Sequence, residues 1–458
     1  MFKKVLVANR GEIAVRIIRT LKEMGIASVA IYSTADKDSL HVQLADEAIA
    51  VGGPKPKDSY LHMKNILTAA LLTGAEAIHP GYGFLSENAL FAEMVGEVGI
   101  KWIGPRPETI DLMGNKSNAR EEMRQAGVPI IPGSDGFIRD FDEAKAVADK
   151  IGYPLLLKAA GGGGGKGMRF VYHEDELSEK FDSAQNEARG AVGDDHMYVE
   201  KVMENVRHIE MQLIRDDNGH VIYFPERNCS LQRNNQKVIE ESPATGMTPA
   251  MREHLGEIVT KAAQAITYEN TGTIEFLQDK DGNFYFMEMN TRLQVEHPVT
   301  EMVTNLDLIK LQVMVAAGYD LPLTQDEVEV DGHSIEVRLT AEQPAKHFAP
   351  SAGTIDFVFL PTGGPGIRLD APLYDGYKVQ PFYDSMIGKL IVKGKTREEA
   401  LIKMRRVVDE IVIQGVETSR DFQKALLDDP HVQSGDFDTR YLENEFLPQW
   451  MATLSDSE

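Results

Sequence analysis

Cysteine is nearly absent from this chain of 458 residues, and a long apolar run is missing altogether. The single cysteine, Cys229, excludes an internal disulfide framework and favours a reducing compartment. Without a run of about eighteen apolar residues, the sequence predicts no transmembrane helix and no membrane partner. The start, MFKKVLVANRGE, becomes polar too soon for a secretory signal. We therefore expect a cytoplasmic protein.

Basic residues are also fewer than acidic residues. The chain has 71 acidic against 48 basic side chains, a formal net charge of −23. A surface that coats nucleic acid needs a basic footprint, so we expect no nucleic-acid partner. If the ligands are anions, the cations that hold them must be concentrated locally, because the field of the whole protein repels anions. The length allows roughly two to four domains.

Two common nucleotide-binding motifs are missing. Residues 3–8 and 28–33 are predicted strands that flank a predicted helix from Gly11 to about Met24, which indicates a parallel sheet. The first turn, NRGEI, is not G-x-G-x-x-G. The run GGGGGKGMRFVY from Gly161 matches that pattern formally, but a strand rather than a helix follows it. A Walker A motif fails as well, because Gly167 rather than Ser or Thr follows Lys166.

The glycine run instead predicts a strand, a loop and a second strand within a small unit at 131–203. Five consecutive glycines cost conformational entropy on ordering, so we expect a function for them. Bare backbone approaches phosphates closely, and such a loop can move as a lid. A flexible surface turn is the alternative. If the loop does bind phosphates, Lys158, at the end of the preceding strand, would contact them as well.

The stretch from Thr271 to Thr300 predicts a hairpin with its turn at Asp281-Gly282. This turn places Lys280 opposite Asn283 and Glu275 opposite Glu288. Opposed carboxylates repel each other unless divalent cations lie between them, and such hard oxygen ligands suit Mg²⁺ or Mn²⁺. Asn290 shares the face of Glu288. A solvated hairpin with a chance acid pair, or a register slip of one residue, are the alternatives.

Three further segments carry candidate polar contacts. The polar segment 229–244 is predicted to have little regular structure, and the strand 332–342 carries two charged residues on one face. A loop near residue 82 follows a strand, where parallel sheets bind ligands. Gln232 and Lys237 are candidates for anion contacts, and the two charged residues of the strand are Glu336 and Arg338. Tyr82 and Glu87 are candidates in the loop, where a tyrosine that only packs on its neighbours is the alternative.

Together these elements predict a magnesium–nucleotide site outside the P-loop class. Lys237, Arg292 and Arg338 add cationic groups that would let a γ-phosphate meet an anionic acceptor. Glu296 could act as general base on that acceptor. The sequence shows no Ser/His/Asp or Cys/His nucleophile set, and such a transfer needs none.

The motifs YPLLLKAAGGGGGKGMR, HIEMQ, NQKVIEE and FMEMNTRLQVEHPVTE resemble those of the ATP-grasp family, specifically biotin carboxylases, and ANRGEIAVRI and HPGYGFLSEN extend the resemblance to the amino terminus. It implies an α/β fold with an N-terminal parallel-sheet (pre-ATP-grasp) domain at 1–130. This domain would be followed by a small glycine-rich α+β lid at 131–203 and by a larger C-terminal α+β domain with an antiparallel sheet at 204–448. A tail would cover 449–458. Because an A-M-K-M biotin-attachment motif is missing, the resemblance points to the free-standing subunit of a bacterial-type acetyl-CoA carboxylase.

The resemblance also implies the reaction and the residues that carry it. ATP would phosphorylate bicarbonate to carboxyphosphate, which would release CO₂ to N1′ of biotin on a separate biotin carboxyl carrier protein. Carboxyltransferase subunits and a homodimer are the other implied partners. Implied ATP contacts are Lys116, Lys158, Gly163, Gly164, Glu200, Lys201, Met203, His208, Gln232, Asn235 and Leu277. Implied metal ligands are Glu275, Glu288 and Asn290; bicarbonate contacts are Lys237, Arg292, Gln294 and Val295, with Glu296 as base; and Arg338 and Tyr82 would face biotin.

Two positions depart from the family pattern. Asn235 stands where the family often has histidine, and Pro365 replaces an expected aromatic residue in the loop 363–368, which forms the family's dimer face with Arg19 and Glu23. Another ATP-grasp ligase, of carbamoyl-phosphate or D-alanine–D-alanine type, is the first alternative. A non-catalytic ATP-binding module is the second, and Arg292, Glu296 and Arg338 argue against it.

Overall fold

The amino-terminal part of the chain folds around a parallel sheet in the computed structural model, which describes residues 1–159, 168–192 and 196–455. Its strands are β1 (Lys4–Val7), β2 (Ala27–Ser33), β3 (Glu47–Gly52), β4 (Ala77–His79) and β5 (Lys101–Trp102). They lie in the order β3-β2-β1-β4-β5 with parallel pairing, as the alternation of strands and helices predicts. The helices are α1 (Gly11–Glu23), α2 (Leu40–Leu44), α3 (Met63–Thr73), α4 (Ala89–Glu97), α5 (Pro107–Gly114) and α6 (Lys116–Gln125).

A small antiparallel sheet follows. It consists of β6 (Leu155–Ala159), β7 (Met168–Val171) and β8 (Met197–Lys201), with β6 in the centre, packed against α7 (Phe141–Ile151) and α8 (Leu177–Val192). The predicted pair of strands around the glycine run is therefore confirmed by the antiparallel pairing of β6 with β7. The predicted phosphate contacts Gly163 and Gly164 lie outside the described residues.

The remainder of the chain forms a large, mainly antiparallel sheet. Its strands are β9 (Arg207–Arg215), β10 (Val221–Tyr223), β11 (Arg227–Arg233), β12 (Gln236–Ser242), β13 (Asn270–Gln278), β14 (Phe284–Asn290), β15 (His333–Thr340), β20 (Ile367–Asp370) and β22 (Met386–Gly394). The order is β14-β13-β9-β11-β12-β15-β22-β20, with β10 paired to β9. Short ribbons pair β16 (Glu342–Gln343) with β17 (Ala349–Pro350), β18 (Gly353–Thr354) with β21 (Lys378–Val379), and β19 (Phe357–Phe359) with β23 (Val412–Gln414).

Helices cover both faces of the large sheet and join it to the parallel sheet. They are α9 (Pro249–Ala265), α10 (His297–Thr304), α11 (Leu308–Ala316), α12 (Arg397–Glu410), α13 (Arg420–Asp428), α14 (Pro430–Ser434) and α15 (Leu447–Ser455). Ile13 and Ile17, at the helical spacing predicted for α1, are buried in the same core as Ile309 and Val313 of α11. Among the described helices, none combines the length and the apolar character needed to span a membrane.

The prediction of little regular structure at 229–244 is wrong, because this segment contributes to β11 and β12. These strands form a hairpin whose turn is Asn234-Asn235, with φ values of 50° and 60°. Both values are left-handed, as a type I′ turn requires and as asparagine tolerates. The strands escaped detection because their polar side chains are buried among one another, so the apolar–polar alternation of an ordinary amphipathic strand is lost.

The predicted hairpin of β13 and β14 has the expected acid pair but a different turn. Glu275 lies opposite Glu288, as predicted, whereas the predicted pairing of Lys280 with Asn283 is wrong. The Asp279 N–H donates to the Asn283 carbonyl at 3.0 Å, so the turn spans one more residue than Asp281-Gly282 alone. A register shift next to Glu275 offsets this difference.

The carboxyl-terminal segment is more ordered than the predicted tail. Helix α15 runs from Leu447 to Ser455, and the Trp450 ring packs 5.2 Å from that of Phe422. Partial burial of this large aromatic side chain stabilises a helix that the sequence pattern did not indicate. Residues 456–458 lie outside the described part of the chain.

Candidate active site

A row of buried charged side chains crosses the large sheet. The strand register places Glu210 opposite Glu275, Glu240 opposite Glu336, and Lys389 between Arg338 and Asp370. Glu210, Glu240, Glu336 and Lys389 are fully buried. This register places like charges opposite each other, so each ionised member needs a partner of opposite charge elsewhere, whereas burial raises the pKa of Glu336 well above its usual value.

Lys237 is the centre of this row. Its Nζ lies 2.6 Å from Glu210 Oε2, 2.9 Å from Glu275 Oε1 and 2.5 Å from Glu296 Oε1. We call these four residues the Lys237 cluster. Burial alone would lower the pKa of Lys237, but the three carboxylates outweigh it and raise that pKa well above its usual value. The ammonium group is therefore a permanent cation in this site.

The opposed acids of the hairpin have different surroundings. Glu275 is nearly buried and accepts hydrogen bonds from Asn290 at 2.8 Å and Gln294 at 2.7 Å. Burial would raise the pKa of Glu275, yet Lys237 and His208 outweigh it and hold that pKa well below its usual range. The Glu288 side chain is 37% exposed, with Lys116 Nζ at 3.3 Å.

This donor set fits a divalent cation. Glu275 offers an ionised carboxylate, and Glu288 presents its own from the opposite strand on the same face. His208 and Glu210 lie beside Glu275, with one ligand atom from each of the three within 4.8 Å of the others. Hard oxygen ligands of this kind suit Mg²⁺ or Mn²⁺.

The predicted ATP contacts are distributed over the small and the large sheets. On the small sheet, Lys158 forms an ion pair with Glu200, and Lys201 Nζ donates to the Tyr153 carbonyl at 2.6 Å. Met203 follows β8 and is half-buried.

On the large sheet, His208 lies opposite Leu277, and the Gln232 amide lies 2.8 Å from the His208 ring. Lys116, at the start of α6, reaches Glu288, the member of the acid pair that lies on β14. Asn235 lies exposed in the turn between β11 and β12.

The chain that leaves β14 carries the predicted anion contacts. The Arg292 guanidinium donates to Gln294 Oε1 at 2.7 Å and to Asn290 Oδ1 at 2.8 Å. Its Nε also pairs with Glu87 at 2.9 Å, which joins this segment to the loop after β4. Arg292, Gln294 and Glu275 are thus linked in one hydrogen-bonded chain.

Glu296 is held between two cations. Its Oε1 is bound by Lys237, and its Oε2 accepts from Arg338 at 3.0 Å. Burial and neighbouring Glu210 would raise the pKa of Glu296, but Lys237 and Arg338 outweigh them and lower it. An ionised carboxylate at neutral pH is what a general base requires.

A cavity of about 870 Å³ opens beside these groups. Tyr82, Lys237, Arg292, Val295 and Arg338 all line it. Its walls come from the parallel-sheet part of the chain, at 9–13 and 82–84, and from the carboxyl-terminal part, at 340–342 and 379–386. A cavity of this size accommodates a small organic ligand next to the charged row.

Several residues of the site were missed from the sequence. Arg227 is fully buried and donates to Gln212 at 2.7 Å and to Thr300 at 2.9 Å, besides pairing with Glu210. Glu240 accepts from Arg338 Nε at 2.6 Å, and burial raises the pKa of Glu240 to about 7. The available signal was the presence of acids inside the motifs HIEMQ and NQKVIEE, at strand positions where apolar residues are the rule.

Comparison with known proteins identifies the family. Models of the biotin carboxylase N-terminal domain, the ATP-binding domain of the carbamoyl-phosphate synthase L chain, and the biotin carboxylase C-terminal domain match residues 1–110, 115–324 and 336–444. The chain is 52% identical to biotin carboxylase 1 of Bacillus subtilis (strain 168), over 97% of this chain and 98% of that protein. It is 50% identical to the 2-oxoglutarate carboxylase small subunit of Hydrogenobacter thermophilus, over 97% of this chain and 93% of that protein.

A solved structure agrees with these relatives. The biotin carboxylase domain dimer of the Hydrogenobacter thermophilus 2-oxoglutarate carboxylase, in complex with MgADP, ADP and bicarbonate, superposes with a TM-score of 0.90. The two chains are 49% identical over 98% of this chain and 99% of that one. The chain therefore belongs to the biotin carboxylase family of ATP-dependent ligases.

Proposed function

We propose that this protein uses MgATP and bicarbonate to carboxylate the biotin of a separate biotin carboxyl carrier protein. The observation that carries the proposal is the position of Glu296. An ionised carboxylate, held between Lys237 and Arg338, lies beside a cavity large enough for the ring system of biotin.

ATP would lie between the small sheet and the large one. Lys116, Lys158 and His208 would contact its phosphates, and the segment from Glu200 to Met203 would hold the adenine. Gln232, Asn235 and Leu277 complete the proposed nucleotide contacts. The unit at 131–203, with Gly163 and Gly164, would act as the lid. Glu275, Glu288 and Asn290 would hold Mg²⁺ or Mn²⁺, which would supply charge neutralisation at the transferring phosphoryl group.

Bicarbonate would bind where Lys237, Arg292, Gln294 and Val295 meet. Glu296 would accept the bicarbonate proton, so that the resulting oxyanion attacks the γ-phosphorus and ADP leaves. Lys237 and Arg292, which both line the cavity, would offset the repulsion between these two anions. Carboxyphosphate then yields CO₂ and phosphate.

Biotin would enter the cavity beside Tyr82. The guanidinium of Arg338 would stabilise negative charge on the ureido oxygen when N1′ gives its proton to the released phosphate and attacks CO₂. Glu240 and Glu296 hold Arg338 from two sides, which fixes its direction before biotin arrives.

The finer assignment is the first half-reaction of acetyl-CoA carboxylase, in the synthesis of malonyl-CoA for fatty acids. The same proposal includes carboxyltransferase subunits as partners and a cytoplasmic location. It also includes a homodimer, formed through the face of Arg19, Glu23 and residues 363–368. The relative that belongs to a 2-oxoglutarate carboxylase makes a keto-acid carboxyltransferase the competing partner. Co-purification of tagged protein with its carrier and transferase distinguishes the two.

One assay tests the reaction itself. We expect ATP hydrolysis that requires bicarbonate and rises when free biotin is added, together with transfer of labelled bicarbonate to purified carrier protein. Hydrolysis that ignores biotin would favour another ATP-grasp ligase, such as the carbamoyl-phosphate type. ATP binding without any bicarbonate-dependent hydrolysis would favour a non-catalytic module.

A further inference from the structure

Lys389 of β22 is fully buried, yet the reaction proposed above gives it no role. Within the sheet it lies directly opposite Arg338 on one side and Asp370 on the other. A lysine side chain is almost never buried completely unless its charge is matched, because an unpaired buried ammonium has lost its hydration. Its partners therefore show what it does.

Three groups contact its ammonium directly, and the side chains of Glu336 and Asp370 also interact with its charge. Lys389 Nζ donates to the Val295 carbonyl at 2.8 Å, over a sequence separation of 94 residues. It pairs with Glu12 Oε1, in the first turn of α1, at 3.1 Å. The Tyr82 ring centroid lies 5.6 Å from Nζ, within the range of a cation–π contact.

Each of these groups belongs to a different wall of the cavity. Val295 lies in the segment between Arg292 and Glu296, Tyr82 follows β4, and Glu12 comes from α1. His297 holds the neighbouring Gln294 carbonyl, with Nδ1 at 2.8 Å, so the anion-binding segment is fixed at two successive carbonyls. Lys389 is therefore a buried junction between the walls that would receive bicarbonate and biotin.

We propose that Lys389 is a positioning residue, which orients Val295 and Tyr82 and thereby sets the affinity of the site for bicarbonate and biotin. This inference rests on the proposed function and deepens it. Lys389 does not itself line the cavity, whereas Val295 and Tyr82 do. The competing explanation is that Lys389 only neutralises Glu12.

The variant Lys389→Met separates positioning from the proposed chemistry. It removes the ammonium but keeps an unbranched side chain of similar length. We expect the KM for bicarbonate to rise at least tenfold and the KM for free biotin to rise several-fold, whereas the KM for MgATP changes less than twofold. A general loss of structure would instead change all three constants together or abolish activity.

The double variant Lys389→Met/Glu12→Gln tests the competing explanation. It also allows a measurement if Lys389→Met alone is too unstable to assay. It replaces the buried Glu12 carboxyl, whose pKa burial raises to about 7, by a neutral amide, so it should regain part of the thermal stability that Lys389→Met loses. Positioning predicts that its KM for bicarbonate stays high. Recovery of the wild-type KM would overturn the inference, because Lys389 would then serve only to neutralise Glu12.

Lys393→Met is the matched control. Lys393 lies on the same strand and pairs with Asp331 at 2.6 Å, away from the cavity. We expect its kinetic constants to remain near those of the wild type. If the wild type shows no bicarbonate dependence, the proposed function and this inference both fail. If it does, and Lys389→Met has the wild-type KM for bicarbonate, only the inference fails.

Discussion

At the scale of single residues, the site depends on a few cations shared among many carboxylates. The Lys237 cluster has one ammonium and three acids, and Arg227 and Arg338 supply the balancing positive charge at its edges. Removing one partner of such a buried network leaves an uncompensated charge, at a cost of about 3–5 kcal/mol. Variants of the buried members would therefore confuse loss of function with loss of structure.

Glu288 is a better test of the metal site, because its side chain is 37% exposed and its ion pair is with Lys116 on the surface. We expect Glu288→Gln to lower the turnover number by at least about two orders of magnitude, since one charged ligand of the cation is lost. The far-ultraviolet circular dichroism and the thermal midpoint should stay near wild type. Steady-state ATP hydrolysis with bicarbonate at saturating Mg²⁺ measures the effect.

Glu269→Gln is the control for this substitution. Glu269 directly precedes β13, at the end away from the turn, and pairs with Arg106 at 3.0 Å. Glu269→Gln therefore removes a carboxylate beside the same hairpin but not from the site. Full activity of Glu288→Gln would show that the opposed acids do not hold the cation.

At the scale of elements, the hairpin of β11 and β12 carries Gln232 at one end of the turn and Lys237 at the other. Its two left-handed asparagines set the register that brings these residues together. A left-handed conformation costs most side chains about 1–2 kcal/mol, and β-branched ones most. The turn is therefore part of how the site is built.

We expect Asn235→Val to lower the free energy of unfolding by about 1–2 kcal/mol, whereas Asn235→Gly should change it by less than about 0.5 kcal/mol. Urea titrations followed by circular dichroism measure both. Equal stability of the two variants would contradict the turn assignment. A raised KM for ATP in Asn235→Gly, without loss of stability, would support the predicted adenosine contact.

Glu241 ties β12 to two other elements, since its carboxylate binds His333 of β15 at 2.8 Å and Arg397 of α12 at 2.7 Å. Burial would raise the pKa of Glu241, but these two partners outweigh it and lower that pKa from 4.5 to about 2. A lowered carboxyl pKa stabilises the fold above the unfolded-state value and loses that effect as the pH falls. The contribution is about 3 kcal/mol.

We therefore expect Glu241→Gln to be less stable than wild type at pH 7, with the difference shrinking as the pH falls from 4.5 toward 2. Urea unfolding at a series of pH values gives the difference in free energy. Glu417→Gln, which removes an exposed carboxylate, is the control. A difference between wild type and Glu241→Gln that is independent of pH would refute the ion-pair explanation.

At the scale of the whole molecule, a strongly acidic protein must receive anionic substrates. The net charge is −23, yet Lys237, Arg292 and Arg338 all line one cavity. Long-range repulsion between exposed charges is screened within about 10 Å at 0.1 M salt, whereas contacts between buried groups are screened much less. Approach and binding should therefore respond differently to ionic strength.

We expect kcat/KM for MgATP and for bicarbonate to rise about twofold as the ionic strength increases from roughly 20 to 150 mM. The turnover number should change little over this range. Initial rates at constant pH and constant free Mg²⁺ measure both, with sucrose in place of salt as the control for viscosity and osmolarity. A steady fall of kcat/KM with salt would contradict this account.

Local pattern determined much of this protein. The apolar spacing of α1, the strands on either side of the glycine run, and the acid pair Glu275–Glu288 all follow from residues close together in sequence, because helical and strand periodicities act over short distances. Even there, the predicted pairing near the turn was wrong by one residue. The register shift beside Glu275 could not be predicted from the residue pattern.

Tertiary structure alone decided how the charges are paired. Lys389 contacts Val295 across a sequence separation of 94 residues, and Arg338 contacts Glu296 across 42. No periodicity in the sequence predicts either contact. The strands β11 and β12 were missed for the same reason. Hydrophobic burial repeats along a helix or strand and can be seen in the sequence, whereas a buried ion pair requires only that two distant residues meet, which the complete fold decides.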